Sequence, residues 1–164
     1  MKTQCRVNSV EGKSGRVITG RLLPGSEMFE GIIEMCKRHN VKYGYINCAI
    51  GSLEKASFVS PITNKESKIG ISYCSKIEMK GPIEFFGEQG IICQSEDDQY
   101  LLHLHGSFST EDMKIWGGHM LATGNIVLAT LDVVITEVVD VKMLRVYDEE
   151  TGFTQFCPKT MEAV

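Results

Sequence analysis

The sequence lacks several features that would assign it to a common functional class. No apolar run approaches the roughly 20 residues that a membrane-spanning helix requires, so no membrane association is expected. Neither a G-x-G-x-x-G nor a G-x-x-x-x-G-K-[ST] pattern occurs, although the chain contains 16 glycines. These two patterns build the common phosphate-binding loops, and their absence argues against a dinucleotide- or nucleotide-binding fold.

The chain also lacks the marks of a secreted protein. Its opening residues, MKTQCRVNSVEG, contain no apolar stretch of the kind that secretion signals carry. The six cysteines are widely separated, with no C-x-x-C pair and no zinc-finger spacing. A chain of this kind is expected to keep its thiols reduced. We therefore expect a cytoplasmic protein.

Positive charge is in slight deficit. The chain has 17 lysines and arginines against 21 aspartates and glutamates, which gives a net charge of -4 at pH 7. An acidic protein has no overall attraction for the phosphate backbone of a duplex. Binding to DNA would therefore require a local basic patch or an assembly of several chains.

One segment has the spacing of an amphipathic helix. In SEMFEGIIEMCKRHN the apolar residues recur at helical spacing, and Ser26 is placed to cap the N-terminus. Three basic residues, Lys37 to His39, fall in the last turn, where cations oppose the helix dipole, and Asn40 can end the helix. This segment is predicted to be the main helix.

Most of the remaining chain is predicted to form strands. The candidates are RVITGRLL, YGYINCAIG, KASFVS, KIGISYCSKIEM, IEFFGEQGIICQ, YLLHLHGSF, IVLATLDVVITEVVDV and the hairpin-like MLRVYDEETGFTQF. One helix among so many strands predicts an α+β fold with a single domain, in which a largely antiparallel or mixed sheet of about seven strands packs against the helix. The predicted boundaries are a polar lead-in at 1–14, the domain at 15–157 and a tail at 158–164.

Three of the four histidines lie in the segment LLHLHGSFSTEDMKIWGGHM. On a strand, Leu102, Leu104 and Phe108 would face the core. His103 and His105 would then project from the opposite face, roughly 6–7 Å apart along the strand.

His119 could supply a third imidazole. It follows Gly117-Gly118, where missing side chains would let the backbone bend sharply and approach the preceding strand. Three histidines with an open fourth position would suit a divalent metal, and zinc is the first choice. The alternative is that the H-x-H pair is a polar strand face that forms hydrogen bonds across a subunit contact.

The motifs resemble those of the PPC domain family, which occurs alone in prokaryotes and attached to AT-hook segments in plants. The resemblance rests on RLLPGSEMFEGIIEMCKRHNVKYGYINCAIGSLEKASF, on GPIEF, on HLHGSFSTEDMKIWGGHMLATGNIVLATLDVVITEV and on the closing DEETGF. It implies a compact α+β fold, a homotrimer and, in many prokaryotic members, a zinc-like site at the histidines matching His103, His105 and His119. The segment EFFGEQGII departs from the family pattern at Phe86 and Glu88, so the pocket is expected to differ in shape and charge.

Two functional classes remain open. In the first, the protein is a trimeric binding or regulatory module of a family usually labelled DNA-binding. The sequence supports that label weakly, because SGRVITGR lacks the Gly-Arg-Pro core of an AT-hook. In the second, it is a zinc-dependent enzyme acting on a small anionic or oxygenated ligand, similar to acetolactate decarboxylase in its H-x-H motif and later histidine.

Two carboxylates are candidate proton carriers for such an enzyme. Glu84 lies in the divergent segment described above. Glu137 has the strand parity of Leu131, Val133 and Ile135, which would place it among apolar neighbours. A bulge that returns Glu137 to solvent is the alternative.

Overall fold

The computed structural model describes residues 5–161, which form ten strands and one helix. In chain order the elements are β1 (Lys13–Leu22), α1 (Met28–Arg38), β2 (Gly44–Val59), β3 (Pro61–Thr63), β4 (Ile71–Tyr73), β5 (Ile77–Gln94), β6 (Tyr100–Thr110), β7 (Ile115–Met120), β8 (Ile126–Val139), β9 (Val141–Asp148) and β10 (Phe153–Thr160). The predicted lead-in and tail lie partly outside the described residues, and their boundaries stay a prediction.

Eight of the strands form one sheet in the order β1-β8-β2-β7-β6-β5-β9-β10. All its pairings are antiparallel except the contact between β5 and β9. Strand β2 pairs with β5 as well as with β7, so β2, β5, β6 and β7 form a closed circuit of paired strands. The α+β class is confirmed, with eight strands in the sheet where about seven were predicted.

Three aromatic rings fill the centre of this closed circuit. Phe58, Phe85 and Phe108 are fully buried, and the ring of Phe108 packs edge-on against Phe58 and stacked against Phe85. They come from three different strands, so the packing ties β2, β5 and β6 together. Burying three such rings contributes several kcal/mol of stabilisation in total, at roughly 25 cal/mol for each Å² of apolar surface.

The helix lies over the part of the sheet that contains β1 and β8. Its apolar face is buried as predicted, through Met28, Phe29, Ile32 and Cys36. The predicted N-cap, Ser26, is wrong, because the carboxylate of Glu27 accepts the backbone N–H groups of residues 29 and 30. A carboxylate satisfies these free donors and also opposes the positive end of the helix dipole.

Two strands are longer than the sequence pattern indicated. YGYINCAIG and KASFVS, predicted as separate strands, are continuous in β2. KIGISYCSKIEM, predicted as one strand, is divided between β4 and the start of β5, and IEFFGEQGIICQ continues β5. Register shifts interrupt the pairing of β2 with both neighbours, which breaks the regular alternation of apolar and polar residues. Within residues 5–161 no helix has the length and apolar character needed to cross a membrane.

One carboxylate is buried inside the closed circuit of strands. Glu88 lies opposite Gly106 in the pairing of β5 with β6, and it is only 4% exposed. Neither of its oxygens has a hydrogen-bond partner within the described residues. Burial, with a smaller contribution from the charge of Glu27, raises the pKa of Glu88 to about 8. Glu88 is therefore protonated at neutral pH.

This burial predicts an unusual dependence of stability on pH. The folded protein favours protonated Glu88, so the stabilising effect of the proton is complete below the ordinary pKa of 4.5 and is lost as pH rises towards 8. The substitution Glu88→Gln should therefore raise the Tm at about pH 9 and change it much less at about pH 5. Thermal unfolding followed by circular dichroism at both pH values tests this.

The matched control for this prediction is Glu84→Gln, which alters an exposed carboxylate on the same strand. It should leave the pH dependence of the wild type intact. An identical change of Tm with pH in the wild type and in Glu88→Gln would contradict the prediction.

Candidate functional site

Strand β6 presents two histidines on the outer face of the sheet, as its alternation predicted. Leu104 and Phe108 are fully buried, whereas His105 is exposed and His103 is half-buried. Leu104 and Phe108 therefore lie on one face of this strand and the two histidines on the other. The predicted orientation of the H-x-H pair is confirmed.

Strand β7 brings the third histidine beside the first two. His119 lies directly opposite His105 in the pairing of β6 with β7. The glycine pair before it lies within the strand, so the predicted sharp bend is wrong. A Cβ at Gly117 would lie 2.5 Å from the carbonyl oxygen of Gly106, and one at Gly118 would lie 2.5 Å from that of Val59. The glycines allow β7 to fit between β6 and β2.

The three imidazoles converge on one point. The Nε2 atoms of His103 and His105 are 3.2 Å apart, and Nδ1 of His119 is 3.3 Å from Nε2 of His105. One ring nitrogen from each of the three lies within 4.8 Å of the others. The ring centroids are separated by 5.0 to 5.3 Å, so the rings surround the point without stacking on one another.

This geometry fits a small divalent ion. Nitrogens bound tetrahedrally at about 2.0–2.1 Å from zinc lie roughly 3.3–3.4 Å from one another. The two shortest nitrogen separations, 3.2 and 3.3 Å, agree with that value. Three imidazole nitrogens also match the ligand set of open zinc sites, in which water or substrate takes the fourth position.

The electrostatic environment keeps two of the histidines neutral. Burial is the largest of the causes that lower the pKa of His103 to about 4, and the positive charge of Arg145 and the other two imidazoles contribute to the same shift. Burial also lowers the pKa of His119, with contributions from His105 and Arg145. A metal binds the unprotonated ring, so these shifts favour ligand function at neutral pH.

A cavity of about 290 Å³ opens beside His103 and His119. Its outer wall includes the small β3–β4 hairpin, from which the ring of Tyr73 packs against His119 at 5.3 Å and against Phe153 at 6.0 Å. The lining combines an apolar wall with a few polar groups, as small-molecule sites do. The lining residues are Pro61, Ile69, Ile71, Ser72, Tyr73, His103, His119, Arg145, Phe153, Thr154 and Gln155.

The exposed side of His105 borders a second, more open depression. Phe86 and Gln89 of β5 line it together with His105. One of the two divergent residues, Phe86, therefore lies beside the histidines, whereas the other, Glu88, points into the core.

The two predicted proton carriers do not line the cavity. The carboxylate of Glu137 accepts from Nε and Nη2 of Arg16, each at 2.8 Å, and this ion pair lowers the pKa of Glu137. Glu84 is exposed and pairs with Ser109, four residues beyond His105 on β6. Their role in proton transfer stays a prediction.

Two residues of the cavity were not predicted from the sequence. Arg145 lines the cavity from β9, which pairs with β5 through a single parallel contact between Gln94 and Leu144. Tyr73 comes from a strand of only three residues. No local pattern in the sequence indicates that either residue lies near the H-x-H pair.

The close approach at Gly118 gives a stability prediction. In Gly118→Ala the added methyl group must push β7 away from Val59, which should destabilise the fold by about 1–3 kcal/mol and displace His119. We expect a lower midpoint in urea denaturation and weaker zinc binding by isothermal titration calorimetry.

The matched control is Ser107→Ala, which removes an atom from an exposed site on the neighbouring strand. Its stability and zinc affinity should stay close to those of the wild type. Equal zinc affinity in Gly118→Ala and the wild type would contradict the link between the glycine and the position of His119.

Comparison with known families matches residues 9–139 to the Plants and Prokaryotes Conserved (PCC) domain. This is the family, also abbreviated PPC, that the sequence motifs resemble. Among curated proteins, the chain is 22% identical over 140 residues to the bifunctional protein GlmU of Synechococcus sp.. The match covers 85% of this chain and 20% of that relative, so the chain spans about a fifth of the relative's length.

Solved structures share the fold. A metal-containing protein from Archaeoglobus fulgidus is 22% identical with a TM-score of 0.75, and the match covers 93% of this chain and 99% of that one. A plant- and prokaryote-conserved protein from Pyrococcus horikoshii is 21% identical with a TM-score of 0.74, covering 96% and 99%. A candidate DNA-binding protein from Bacteroides thetaiotaomicron is 19% identical with a TM-score of 0.68, covering 88% and 96%.

Proposed function

The chain belongs to the Plants and Prokaryotes Conserved domain family, and on this premise we propose that it is a homotrimeric binding or regulatory module with a zinc site. His103, His105 and His119 would hold the ion, and the adjoining cavity would receive a small ligand. The observation that carries the proposal is the convergence of three ring nitrogens within 4.8 Å of one another. The structural relative from Archaeoglobus fulgidus, described as metal-containing, adds support.

The residues around the cluster define what such a site could do. A zinc ion held by the three imidazoles would supply Lewis acidity and would lower the pKa of a water bound to it. His103 and His119 line the cavity, so a ligand bound there would lie beside an ion held by the cluster. Tyr73 packs against the ring of His119 and fixes its orientation.

Removal of single ligands tests the metal site. Each of His103→Ala, His105→Ala and His119→Ala should lower the zinc content of the purified, tag-free protein and weaken zinc affinity by roughly tenfold or more, since each removes one of three donors. His39→Ala, at the end of α1, is the control and should retain full zinc content. Elemental analysis by mass spectrometry gives the readout.

Equal metal content in the wild type and the three alanine variants would show that the cluster does not hold zinc. It would favour the alternative that these histidines form a polar strand face. Circular dichroism on each variant separates loss of metal from loss of fold.

The homotrimer is supported by apolar side chains left exposed on β2 and β8. Ile50 is 47% exposed and Leu128 is 40% exposed. Large apolar groups on a sheet face are typical of surfaces that another chain covers. Light scattering should give a mass of about three times 18.3 kDa. A monomer at micromolar concentration would contradict this part of the proposal.

DNA binding is the family's usual label, and two structural relatives are described as candidate DNA-binding proteins. The net charge of the chain is -4 at pH 7, which argues for weak binding to the phosphate backbone of DNA. We expect binding to generic duplex no tighter than about 10⁻⁶ M at physiological salt in a mobility-shift assay. Nanomolar, sequence-selective binding would contradict this expectation.

A zinc-dependent enzyme is the second candidate function. The observation that favours it is the cavity of about 290 Å³ directly beside His103 and His119, because a purely structural metal site needs no such space.

A further inference from the structure

We propose that Arg145 is the anion-recognition residue of the cavity, and that the ligand of the site is a small monocarboxylate with a second oxygen directed at the histidine cluster. This inference rests on the proposed zinc site and adds the chemical class of its ligand. Its central observation is a guanidinium group that is incompletely satisfied within the described residues and that borders the cavity beside the histidines.

Arg145 has one terminal nitrogen fixed and one free. Its Nη2 donates to the backbone carbonyl of Thr154 at 2.6 Å, which holds the side chain against β10. Its Nη1 is buried and has no hydrogen-bond partner within residues 5–161. A buried charged donor without a partner is costly, so this geometry favours an acceptor that the described chain does not provide.

The chain does not neutralise this charge with a carboxylate. Arg145 takes part in none of the ion pairs formed by residues 5–161, and neither aspartate nor glutamate lines the cavity. Arg145, His103 and His119 all line the same cavity, so the guanidinium charge and the two imidazoles border one space.

The size and lining of the cavity narrow the ligand class. At about 290 Å³ the cavity suits a small molecule. Arg145 is the single arginine in the lining, and no lysine lines it, which favours one negative charge over two. The apolar side chains of Ile69, Ile71 and Phe153 can contact a short carbon chain.

A carboxylate suits the guanidinium of Arg145 better than a neutral oxygen would. Hydrogen bonds from arginine to a carboxylate are short and about twice as strong as bonds between neutral groups. A ligand anchored at Arg145 would extend its hydroxyl or carbonyl oxygen towards His103 and His119. Short 2-hydroxy and 2-oxo acids carry both groups, a carboxylate and an adjacent hydroxyl or carbonyl oxygen.

The test measures binding of four acids to the zinc-loaded protein by isothermal titration calorimetry: acetate, lactate, pyruvate and 2-hydroxybutyrate. Lactamide, which lacks the charge, and inorganic phosphate are the comparison probes. We expect at least one of lactate, pyruvate and 2-hydroxybutyrate, which carry a hydroxyl or carbonyl oxygen beside the carboxylate, to bind more tightly than acetate, lactamide and phosphate. Arg145→Gln should weaken that binding by roughly tenfold or more.

Two further variants test whether binding of the acid depends on the positive charge of Arg145. Arg145→Lys keeps the charge and should retain part of the affinity. Arg21→Gln removes an exposed arginine that bonds to Thr130 on β8, and it should bind the acid as the wild type does. Arg145→Gln should also keep its full zinc content, because Arg145 is not one of the three nitrogen donors.

Several outcomes would overturn the inference. These are equal binding of the acid by the wild type and Arg145→Gln, failure of all four acids to bind at millimolar concentration, or a preference for phosphate. Failure of the zinc site would be recognised separately, as a wild type that holds no zinc. In that case the same titrations are made on the metal-free protein. Binding of the acid that depends on Arg145 would support anion recognition by this residue, and no such binding would overturn the inference.

Discussion

The closed pairing of β2, β5, β6 and β7 is the constraint on which the rest of the site depends. Strand β7 completes the circuit by fitting between β6 and β2, and it can do so because Gly117 and Gly118 place no side chain against the neighbouring carbonyl groups. That pairing sets His119 directly opposite His105. The packed aromatic rings inside the circuit hold the strands in this register.

The same arrangement places neutral imidazoles and a positively charged guanidinium around one cavity. The imidazoles of His103 and His119 are kept neutral chiefly by burial, whereas Arg145 contributes a permanent positive charge to the lining of the same cavity. Neutral nitrogens favour a metal ion, and a guanidinium favours an anion. A ligand that bridges the two would satisfy both parts of the site.

Local sequence patterns predicted those features that depend on one element. The buried face of α1 and the orientation of His103 and His105 follow from periodicity within a single segment. His119 was predicted from the glycine pair before it and from the family motifs, although β7 continues through these glycines without the expected bend. The length of β2 could not be predicted, because register shifts hide its alternation, and the position of Arg145 depends on a pairing between strands far apart in the chain. Glu27 caps α1 in place of the predicted Ser26. Both neighbouring side chains can accept hydrogen bonds from the first turn, so residue type alone did not decide between them.

The central claim is that three imidazole nitrogens share one zinc ion, and X-ray absorption at the zinc edge of the purified, tag-free protein tests it most directly. The account predicts zinc bound in a four-coordinate site by light donors at about 2.0–2.1 Å, with the multiple-scattering signal of three imidazole rings. A spectrum dominated by sulfur at about 2.3 Å, or one with no imidazole scattering, would contradict it.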